Sequence, residues 1–411
     1  MQALKTAGIN NHQFSMRKAV VIHHTLNTLG GETTVAIETI ESLHELGYEV
    51  ELVTVQPPDL DSISRAYGKK IRIESIRSLL PFKLNYFGVY QRLLTMLSSI
   101  DFKDSEVVIN THGDALPYRI SGTETPYLLY LHFPTFLMGS NARYGSHKYR
   151  KSLFWKLYFK PYSVIAKHLA MRAITKSSFI LTNSRFSREA IRQSLPDAHP
   201  YVLYPPVDIE RFSHAYRHPI NARDAKVLVI SRFSPEKQLE NAITIARFLG
   251  KKIKFHIVGS LAPANRTYFG MLQDVIRNNG MTQTITLTPN ASNEELLHVL
   301  SESTIYLHTM IGEHFGVAIV EAMAAGLVPI VPAYGGCSEI VPHEYQYHSL
   351  EEAAQYIARN AKDPHDEKRR QMHEISERFS PDIFRKEMKQ YIEQARSQIK
   401  INRSSTTTTA G

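Results

Sequence analysis

The residues best suited to hold a charged ligand lie in the segment 312–326. Helix-forming residues fill Val317 to Ala325, and Gly326 supplies the left-handed position that ends a helix. Gly316 precedes the first turn and leaves room for a ligand near unpaired N–H groups, where the positive end of the helix dipole favours a phosphate. The segment therefore predicts an anion site at the start of a short helix.

Two carboxylates flank that site. Glu313 precedes the helix and Glu321 lies within it, so both can face one ligand while the N–H groups between them hold its phosphates. Carboxylates accept hydrogen bonds, which suits the hydroxyls of a sugar and not a phosphate. The alternative is a solvated pair of glutamates. We favour the ligand site because Glu321 stands in an otherwise apolar stretch, where an unpaired carboxylate is costly.

Two cations follow the first strand of the same half. Arg232 and Lys237 lie in a loop directly after the strand Val227 to Ile230, and in open α/β sheets ligands bind beyond the carboxyl ends of the strands. There an Arg can grip a diphosphate through two hydrogen bonds, and a Lys can neutralise it as a point charge. Taken alone, the pair is more simply explained as two surface cations. Together with the two carboxylates it favours a diphosphate site.

The first half contributes weaker signals. Gly30 and Gly31 follow the strand Ala19 to Ile22 and open a helix reaching about Leu46, as in a loop that approaches a phosphate. The loop does not match the G-x-G-x-x-G pattern, which disfavours a dinucleotide cofactor. His132 ends an apolar strand and is compatible both with a satisfied core histidine and with a site residue.

Two patterns suggest a metal site only at first sight. Asp59-Leu60-Asp61 has the D-x-D spacing, but it follows two prolines in a predicted loop with no further ligand cluster nearby. His23-His24 has no partner ligands at the spacing usual for metal sites. We therefore predict no catalytic metal.

Strand-like runs alternate with longer amphipathic stretches, which is typical of βα units on parallel sheets. The first series comprises Ala19 to Ile22, Glu49 to Val55, Val107 to Asn110, Tyr127 to Leu131 and Phe179 to Asn183, and the second comprises Lys226 to Ile230, Lys254 to Val258, Thr284 to Leu287, Thr304 to His308 and Leu327 to Val331. Paired prolines in Tyr204 to Asp208 separate the two series. We predict an α/β protein with two Rossmann-like, doubly wound domains.

The predicted domain organisation follows from this boundary and from the ends of the chain. It consists of a flexible N-terminus (1–16), an N-terminal domain (17–205), a C-terminal domain (206–380), a C-terminal helix that returns to the N-terminal domain (381–400) and a disordered polar tail (401–411).

The composition, with 43% hydrophobic and 21% charged residues, is that of a soluble globular enzyme. The single cysteine, Cys337, excludes an intramolecular disulfide framework and favours a reducing compartment, the cytoplasm. Residues 1–15 lack the apolar stretch of a signal peptide, and no uninterrupted apolar run reaches the roughly 20 residues that a bilayer requires. The net charge of +9 favours an anionic partner, which can be nucleic acid, an anionic membrane surface or a phosphate-bearing substrate.

Basic residues alternate with aromatic residues from Lys69 to Arg92 and from Lys148 to Lys176. Such stretches can lie on an anionic membrane, with the cations in water and the rings in the interface. They can equally form amphipathic helices whose aromatic residues belong to the core. The core interpretation is the simpler one for most of these rings.

These motifs resemble those of the retaining glycosyltransferases with the GT-B fold that form family 4, also called group 1. The spacing of Glu313 and Glu321 matches the E-x7-E motif of that family. Further resemblance, to its GDP-mannose-dependent members that extend lipid-linked oligosaccharides on the cytoplasmic membrane face, is carried by 130–135, 183–184, 204–208, 234–237, 307–310, 313–316 and 340–344. One departure is Gly335-Gly336-Cys337-Ser338, where Gly-Gly-Pro is usual.

The resemblance implies a role for each matching residue. Arg232 and Lys237 would neutralise the donor diphosphate as it becomes the leaving group. Glu321 would hold the ribose, Glu313 would hold the hydroxyls of the transferred sugar, and His132 would contact that sugar from the other domain.

The rest of the implied donor site is mainly backbone. Gly30 and Gly31 would bring their backbone close to the reacting phosphate or the acceptor, and Phe315, Gly316 and Val317 would complete the donor site at the helix start. The nucleotide sugar is a co-substrate, and the resemblance implies no separate cofactor and no metal. Closure of the two domains across the cleft would exclude water.

Three hypotheses follow. The first is transfer of a hexose, mannose from GDP-mannose, to a polyprenyl-linked glycan, by an enzyme in peripheral contact with the cytoplasmic face of a membrane. The second is a GT-B transferase that uses a UDP- or ADP-sugar and a soluble acceptor. The third, a nucleic-acid-binding protein, rests only on the net charge. We predict no nucleic acid partner because no recognition motif is visible.

Overall fold

The computed structural model describes residues 17–28, 30–78, 80, 99–102, 104–112, 119–121, 125–134, 179–219, 223, 225–362 and 366–408, and single positions between 157 and 171. The N-terminus predicted to be flexible, 1–16, lies outside these residues, as do most of the two basic-aromatic stretches.

The first sheet is parallel throughout, with the strand order β3-β2-β1-β5-β7-β8-β9. Its strands are β1 (Arg17–Ile22), β2 (Tyr48–Thr54), β3 (Ser75–Ser78), β5 (Val107–Asn110), β7 (Tyr127–Tyr130), β8 (Phe179–Thr182) and β9 (Tyr201–Val202). A separate parallel pair consists of β4 (Ser99–Asp101) and β6 (Arg119–Ser121). Every residue of β5, β7 and β8 is buried, as expected for strands covered on both faces.

The second sheet repeats this plan with the order β12-β11-β10-β13-β14-β15. Its strands, again parallel, are β10 (Lys226–Ile230), β11 (Lys254–Gly259), β12 (Ile285–Pro289), β13 (Ile305–Leu307), β14 (Val328–Pro332) and β15 (Gln346–Tyr347). In both sheets the strand order reverses beside the first strand, β1 or β10. Ligands of doubly wound sheets bind at such a point.

Helices cover the sheets. Those around the first sheet are α1 (Gly31–Glu45), α2 (Leu60–Tyr67) and α3 (Arg185–Ser194), and those around the second are α4 (Ile209–Tyr216), α5 (Glu240–Leu249), α6 (Arg266–Asn278), α7 (Asn293–Glu302), α8 (Val317–Ala324), α9 (Leu350–Lys362) and α10 (Asp366–Ser376). As predicted, α8 is followed by Gly326 in the left-handed region, with φ +77°. A last helix, α11 (Pro381–Thr408), returns to the first half.

The return of α11 has a clear physical basis. Phe384, Met388 and Ile392 are buried in the core that also contains β1 and α1. Arg385 pairs with the buried Glu38 of α1 at 2.5 Å, which adds an ion pair to the apolar contact. The helix continues to Thr408, into the segment 401–411 that the sequence predicts to be disordered, because neither glycine nor proline interrupts it before Gly411.

The predicted fold class is confirmed, and each of the ten predicted strands is present. The sequence reasoning missed β3, β9 and β15, together with the β4–β6 pair. These strands are two to four residues long, too short to give a period-2 pattern. The domain boundaries remain a prediction.

Several of the positions described between residues 157 and 171 carry exposed apolar side chains. Leu157, Val164 and Ile165 are helical and 64, 62 and 46% exposed, and Lys160 and His168 are helical and exposed with them. Within the part of the chain that the structure describes, none of the helices has the length and hydropathy needed to cross a bilayer.

Candidate active site

Two loops at the carboxyl ends of β10 and β13 form the centre of the site. The first, 231–237, is held against β11: a Cβ on Gly259 would lie 1.8 Å from the carbonyl oxygen of Ser231, so only glycine allows this approach. The first loop ends in a short 3₁₀ turn, Pro235–Lys237. The second loop comprises residues 308–316, between β13 and α8. The Thr309 hydroxyl in this loop donates a hydrogen bond of 2.7 Å to the carbonyl oxygen of Lys237. These contacts bring Lys237 to the second loop.

Lys237 and Glu313 form a close ion pair. The Lys237 Nζ lies 2.6 Å from Glu313 Oε2, and the two side chains are only 15 and 13% exposed. His308 Nε2 lies 3.4 Å from the same oxygen, and the backbone N–H of His314 donates to Oε1 at 3.1 Å. Burial alone would raise the pKa of Glu313, but Lys237 and His308 outweigh it and hold that pKa well below its usual value. Glu313 is therefore a carboxylate at neutral pH.

His308 was missed as a site residue. It stands just after β13, is 5% exposed, and its Nδ1 lies 3.4 Å from the Tyr306 hydroxyl. Its position in the sequence, a polar residue following the buried run Ile305–Leu307, is the signal that could have identified it.

A glycine pair supports the loop that carries Glu313. Gly335 has φ +122°, and its backbone forms an isolated parallel bridge with Glu313. The N–H of Gly336 donates to the Glu313 carbonyl at 2.6 Å, and a Cβ on Gly336 would lie 2.0 Å from the carbonyl oxygen of His314. Cys337, where the family usually has proline, is fully buried behind this contact. Side chains are thus excluded where the glycine pair meets the loop that carries Glu313.

The start of α8 agrees with the prediction in part. Gly316 caps the helix with φ +102°, and a Cβ there would lie 2.5 Å from Ile319 Cδ1. Phe315 is 3% exposed and packs against the rings of Tyr204 and Phe379. Its side chain belongs to the core, so any contact that it makes with a ligand would come from its backbone.

Glu321 lies in a different environment from Glu313. It lines a cavity of about 600 Å³ between the two halves, together with Val317, Tyr67 and Arg211. Burial raises the pKa of Glu321 to about 7, with Arg211 acting against the shift and Asp208 adding to it. Among the residues that the structure describes, no cation forms an ion pair with Glu321. This carboxyl is therefore close to half protonated at neutral pH.

The first half meets the second at the start of α8. Gly31 is the first residue of α1, and a Cβ on it would lie 2.9 Å from Val317 Cγ2, the first residue of α8. The N-terminal ends of two helices therefore adjoin across the cleft, and each directs unpaired N–H groups and a positive dipole end there. Gly30 caps α1. Such an arrangement suits a ligand with two phosphates.

Three histidines lie close together in the same part of the molecule. His132 is 9% exposed, and its charge would lower the pKa of both His23 and His314, which places it near each. Burial lowers the pKa of His23 and of His314 to about 4, so both are neutral at physiological pH. His23, dismissed above as a metal ligand, and His314 were not predicted to belong to the site.

Arg232 does not join the central ion pair. Its side chain is 66% exposed, and its nearest carboxylate is that of Glu236, 3.8 Å away. The structure thus brings together Lys237, Glu313 and the start of α8, and it leaves Arg232 at the rim.

Two family profiles match the chain. Residues 211–379 match the family described as glycosyl transferases group 1, and residues 29–211 match the family described as Glycosyltransferase Family 4. Between them the profiles extend over both sheets except for β1.

Several similar proteins carry the name GDP-Man:Man(3)GlcNAc(2)-PP-Dol alpha-1,2-mannosyltransferase. The protein from Mus musculus is 31% identical over 185 residues, 41% of this chain and 37% of the relative. The protein from Dictyostelium discoideum is 24% identical over 300 residues, 64% of this chain and 58% of the relative. The matched part of the chain therefore spans less than two thirds of these relatives.

Solved structures confirm the fold. Sucrose-phosphate synthase from Thermosynechococcus elongatus superposes with a TM-score of 0.69 at 15% identity, covering 92% of this chain and 98% of that chain. Anabaena Alr3699/HepE in complex with UDP and glucose gives 0.63 at 16% identity, with 92 and 99% covered. The GT-B architecture predicted from the sequence is therefore present.

Proposed function

We propose that this chain, a member of the group 1 glycosyltransferases, is a retaining enzyme that transfers mannose from GDP-mannose to a lipid-linked glycan. The observation that carries the chemistry is the buried Lys237–Glu313 pair beside the adjoining ends of α1 and α8. The proposed donor and acceptor are those in the names of the mouse and Dictyostelium relatives.

The site supplies what a diphosphate leaving group needs. In the reaction the bond between the anomeric carbon and the phosphate oxygen breaks, a bond from that carbon to an acceptor hydroxyl oxygen forms, and the hydroxyl proton is released. Negative charge grows on the diphosphate as the bond breaks. The Lys237 ammonium and the N–H groups of the two helix ends are fixed donors that stabilise this charge in a site shielded from water.

The two carboxyl groups serve different parts of the donor. Glu313 is ionised and accepts hydrogen bonds from the hydroxyls of the transferred sugar, while Lys237 is shared between Glu313 and the phosphates. Glu321, with a pKa of about 7, holds the ribose hydroxyls and can both donate and accept. His132 contacts the transferred sugar from the first half.

Arg232 acts from the rim. Its side chain is 66% exposed, and among the described residues it forms an ion pair only with Glu236, at 3.8 Å, a contact of little energetic weight at the surface. We expect the guanidinium to turn onto the diphosphate when the donor binds, as a bidentate donor beside Lys237.

A lipid-linked acceptor requires contact with a membrane. The exposed apolar side chains of Leu157, Val164 and Ile165, with the exposed Lys160 near them in the sequence, have the mixed character of a surface that lies on anionic lipid. The net charge of +9 adds a general attraction to such a surface. We propose peripheral contact with the cytoplasmic face.

Radiolabel transfer tests the proposal. Purified protein is incubated with radiolabelled GDP-mannose and vesicles that contain a polyprenyl-diphosphate-linked oligosaccharide, and label in the lipid fraction is measured. We expect incorporation with the wild type and none above background with Lys237→Ala. Turnover only with a soluble acceptor and a UDP- or ADP-sugar would replace the proposed substrates. Salt-sensitive binding to nucleic acid without affinity for any nucleotide sugar would contradict the proposal altogether.

A further inference from the structure

The two halves are joined by a set of polar and aromatic contacts beside the Glu313 loop. The Phe133 ring, after β7, stacks on the His314 ring with 3.7 Å between centroids and 5° between planes. The Ser184 hydroxyl, just before α3, donates a hydrogen bond of 2.6 Å to the carbonyl oxygen of His314. Both contacts reach from the first half to the residue next to Glu313.

A carboxylate of the second half occupies the start of α3. The backbone N–H groups of Arg185 and Phe186 donate to the two oxygens of Glu339 at 2.8 and 2.6 Å. The Tyr204 hydroxyl donates to Glu339 at 3.2 Å. The first N–H groups of a helix have no partner within the helix, and the positive dipole end favours a carboxylate, so this contact is well matched in charge and geometry.

Glu339 is connected to Glu313 through a short stretch of backbone. It ends the 3₁₀ turn Gly336–Glu339, whose first N–H donates to the Glu313 carbonyl at 2.6 Å. That glycine also packs against the His314 carbonyl, which accepts the Ser184 hydroxyl. Movement of α3 relative to the second half would therefore shift the loop that carries Glu313.

We propose that Ser184 and Glu339 form an interdomain latch, a pair of positioning residues that holds the Glu313 loop in place when the two halves are in contact. The latch holds while the two halves are in contact and releases when they separate to let product leave. Its effect on the reaction rests on the proposed function, whereas its effect on contact between the halves does not.

The variants must separate the latch from helix capping. The Ser184 hydroxyl also accepts the N–H of Ser187 at 3.0 Å, so an alanine would remove both interactions. Ser184→Asp keeps a good capping acceptor but has no proton to donate to the His314 carbonyl at neutral pH. Glu339→Gln keeps the side-chain shape and removes the charge. Ser292 caps α7 by accepting the N–H of Glu295, and in the described part of the chain no hydrogen bond joins its side chain to the first half, so Ser292→Asp is the matched control.

Hydrogen exchange of the free protein tests the latch without any substrate. We expect Glu339→Gln and Ser184→Asp to accelerate exchange about tenfold in peptides covering 185–186, whose N–H groups donate to Glu339, and 312–316, the loop that the latch holds in place. Ser292→Asp should leave both peptides unchanged. Unchanged exchange in the two latch variants would overturn the proposal.

Kinetics test what the latch does for the reaction. We expect the latch variants to lower kcat about fivefold or more while KM for the donor changes less than about twofold, and to raise donor hydrolysis relative to transfer, because Glu313 is misplaced and water enters. Ser184→Thr, which keeps the hydroxyl, should restore kcat. A parallel rise in KM with unchanged kcat would overturn this role. If wild-type protein turns over no nucleotide sugar, the proposed function fails, and the exchange result still decides whether the latch exists.

Discussion

The loop before α8 and the body of α8 each carry one carboxyl group of the E-x7-E motif, and the two groups differ in charge. Glu313 is held between Lys237 at 2.6 Å and His308 at 3.4 Å, and its pKa is well below the usual value. Burial raises the pKa of Glu321 to about 7, and none of the described cations pairs with it. The spacing of a motif therefore fixes where its groups stand, while their charge depends on partners from elsewhere in the chain.

In the proposed function, this difference would let one helix start bind both ends of a nucleotide sugar. An ionised Glu313 would keep Lys237 at the phosphates and accept hydrogen bonds from sugar hydroxyls. A carboxyl group near its pKa can donate or accept, which suits a ribose diol without adding a full negative charge beside a diphosphate. The predictions below remove one side of the comparison at a time.

The largest effect is expected for Lys237→Ala. Its ammonium is the described cation closest to Glu313, and removal leaves that buried carboxylate without its main partner and the diphosphate without a fixed charge. We expect kcat/KM to fall by about two to three orders of magnitude, as for loss of one fixed donor to a developing charge. Lys252→Ala, at an exposed position, should leave kcat/KM unchanged. An equal fall in both variants would contradict the role given to Lys237.

The comparison between the carboxyl groups is tested by glutamine substitutions at each. Glu313→Gln removes a full charge, and we expect kcat/KM near neutral pH to fall about tenfold or more. Glu321→Gln resembles the protonated form that wild type already populates, and we expect a change within about threefold. Steady-state kinetics of both variants provide the check. Equal losses would mean that the two groups do not differ in charge.

Gly336→Ala should disturb the Glu313 loop and leave the Glu321 helix in place. The new Cβ would lie 2.0 Å from the His314 carbonyl oxygen, and backbone must move to accommodate it. We expect a loss of about 2 to 4 kcal/mol in the free energy of unfolding, measured by denaturant titration. Gly270→Ala in α6 meets nothing within 4 Å and should instead stabilise the protein by about 0.5 to 1 kcal/mol. Similar free energies of unfolding for the two variants would show that the Glu313 loop accommodates a Cβ at position 336 without loss of stability.

The smallest effect concerns pH and Glu321. The pKa of Glu321 in the folded protein, about 7, exceeds its value of 4.5 in the unfolded chain. Its favourable contribution to the free energy of unfolding is therefore complete below pH 4.5 and is lost as the pH rises through 7. Glu321→Gln does not ionise and should therefore be more stable than wild type by about 1 to 3 kcal/mol near pH 8, with the difference vanishing near pH 4.5. Thermal unfolding of both proteins between pH 4.5 and pH 8 measures this difference in stability. A variant less stable at every pH would contradict the raised pKa.

The sequence predicted the parts of this site that depend on local pattern. Gly316 and Gly326 mark the bounds of α8, the E-x7-E spacing locates both carboxyl groups, and the loop after β10 supplies Lys237. The two sheets could be predicted because their buried parallel strands appear in the sequence as continuous apolar runs.

The remaining parts depend on contacts between distant residues. Lys237 and Glu313 are 76 residues apart, Ser184 and His314 are 130 apart, and Arg185 and Glu339 are 154 apart. No local period encodes such pairs. Sequence reasoning therefore placed Arg232 with Lys237 on a shared loop, while the structure leaves Arg232 at the rim.

The most direct test of the central claim, that the Lys237–Glu313 site grips a nucleotide diphosphate, is thermal-shift titration of the protein with GDP, UDP and ADP and with their common sugars. A ligand that binds only the folded state raises the melting temperature. We predict stabilisation by GDP and GDP-mannose that Lys237→Ala abolishes and Lys252→Ala retains. Equal stabilisation of wild type and Lys237→Ala, or no response to any nucleotide, would contradict the account.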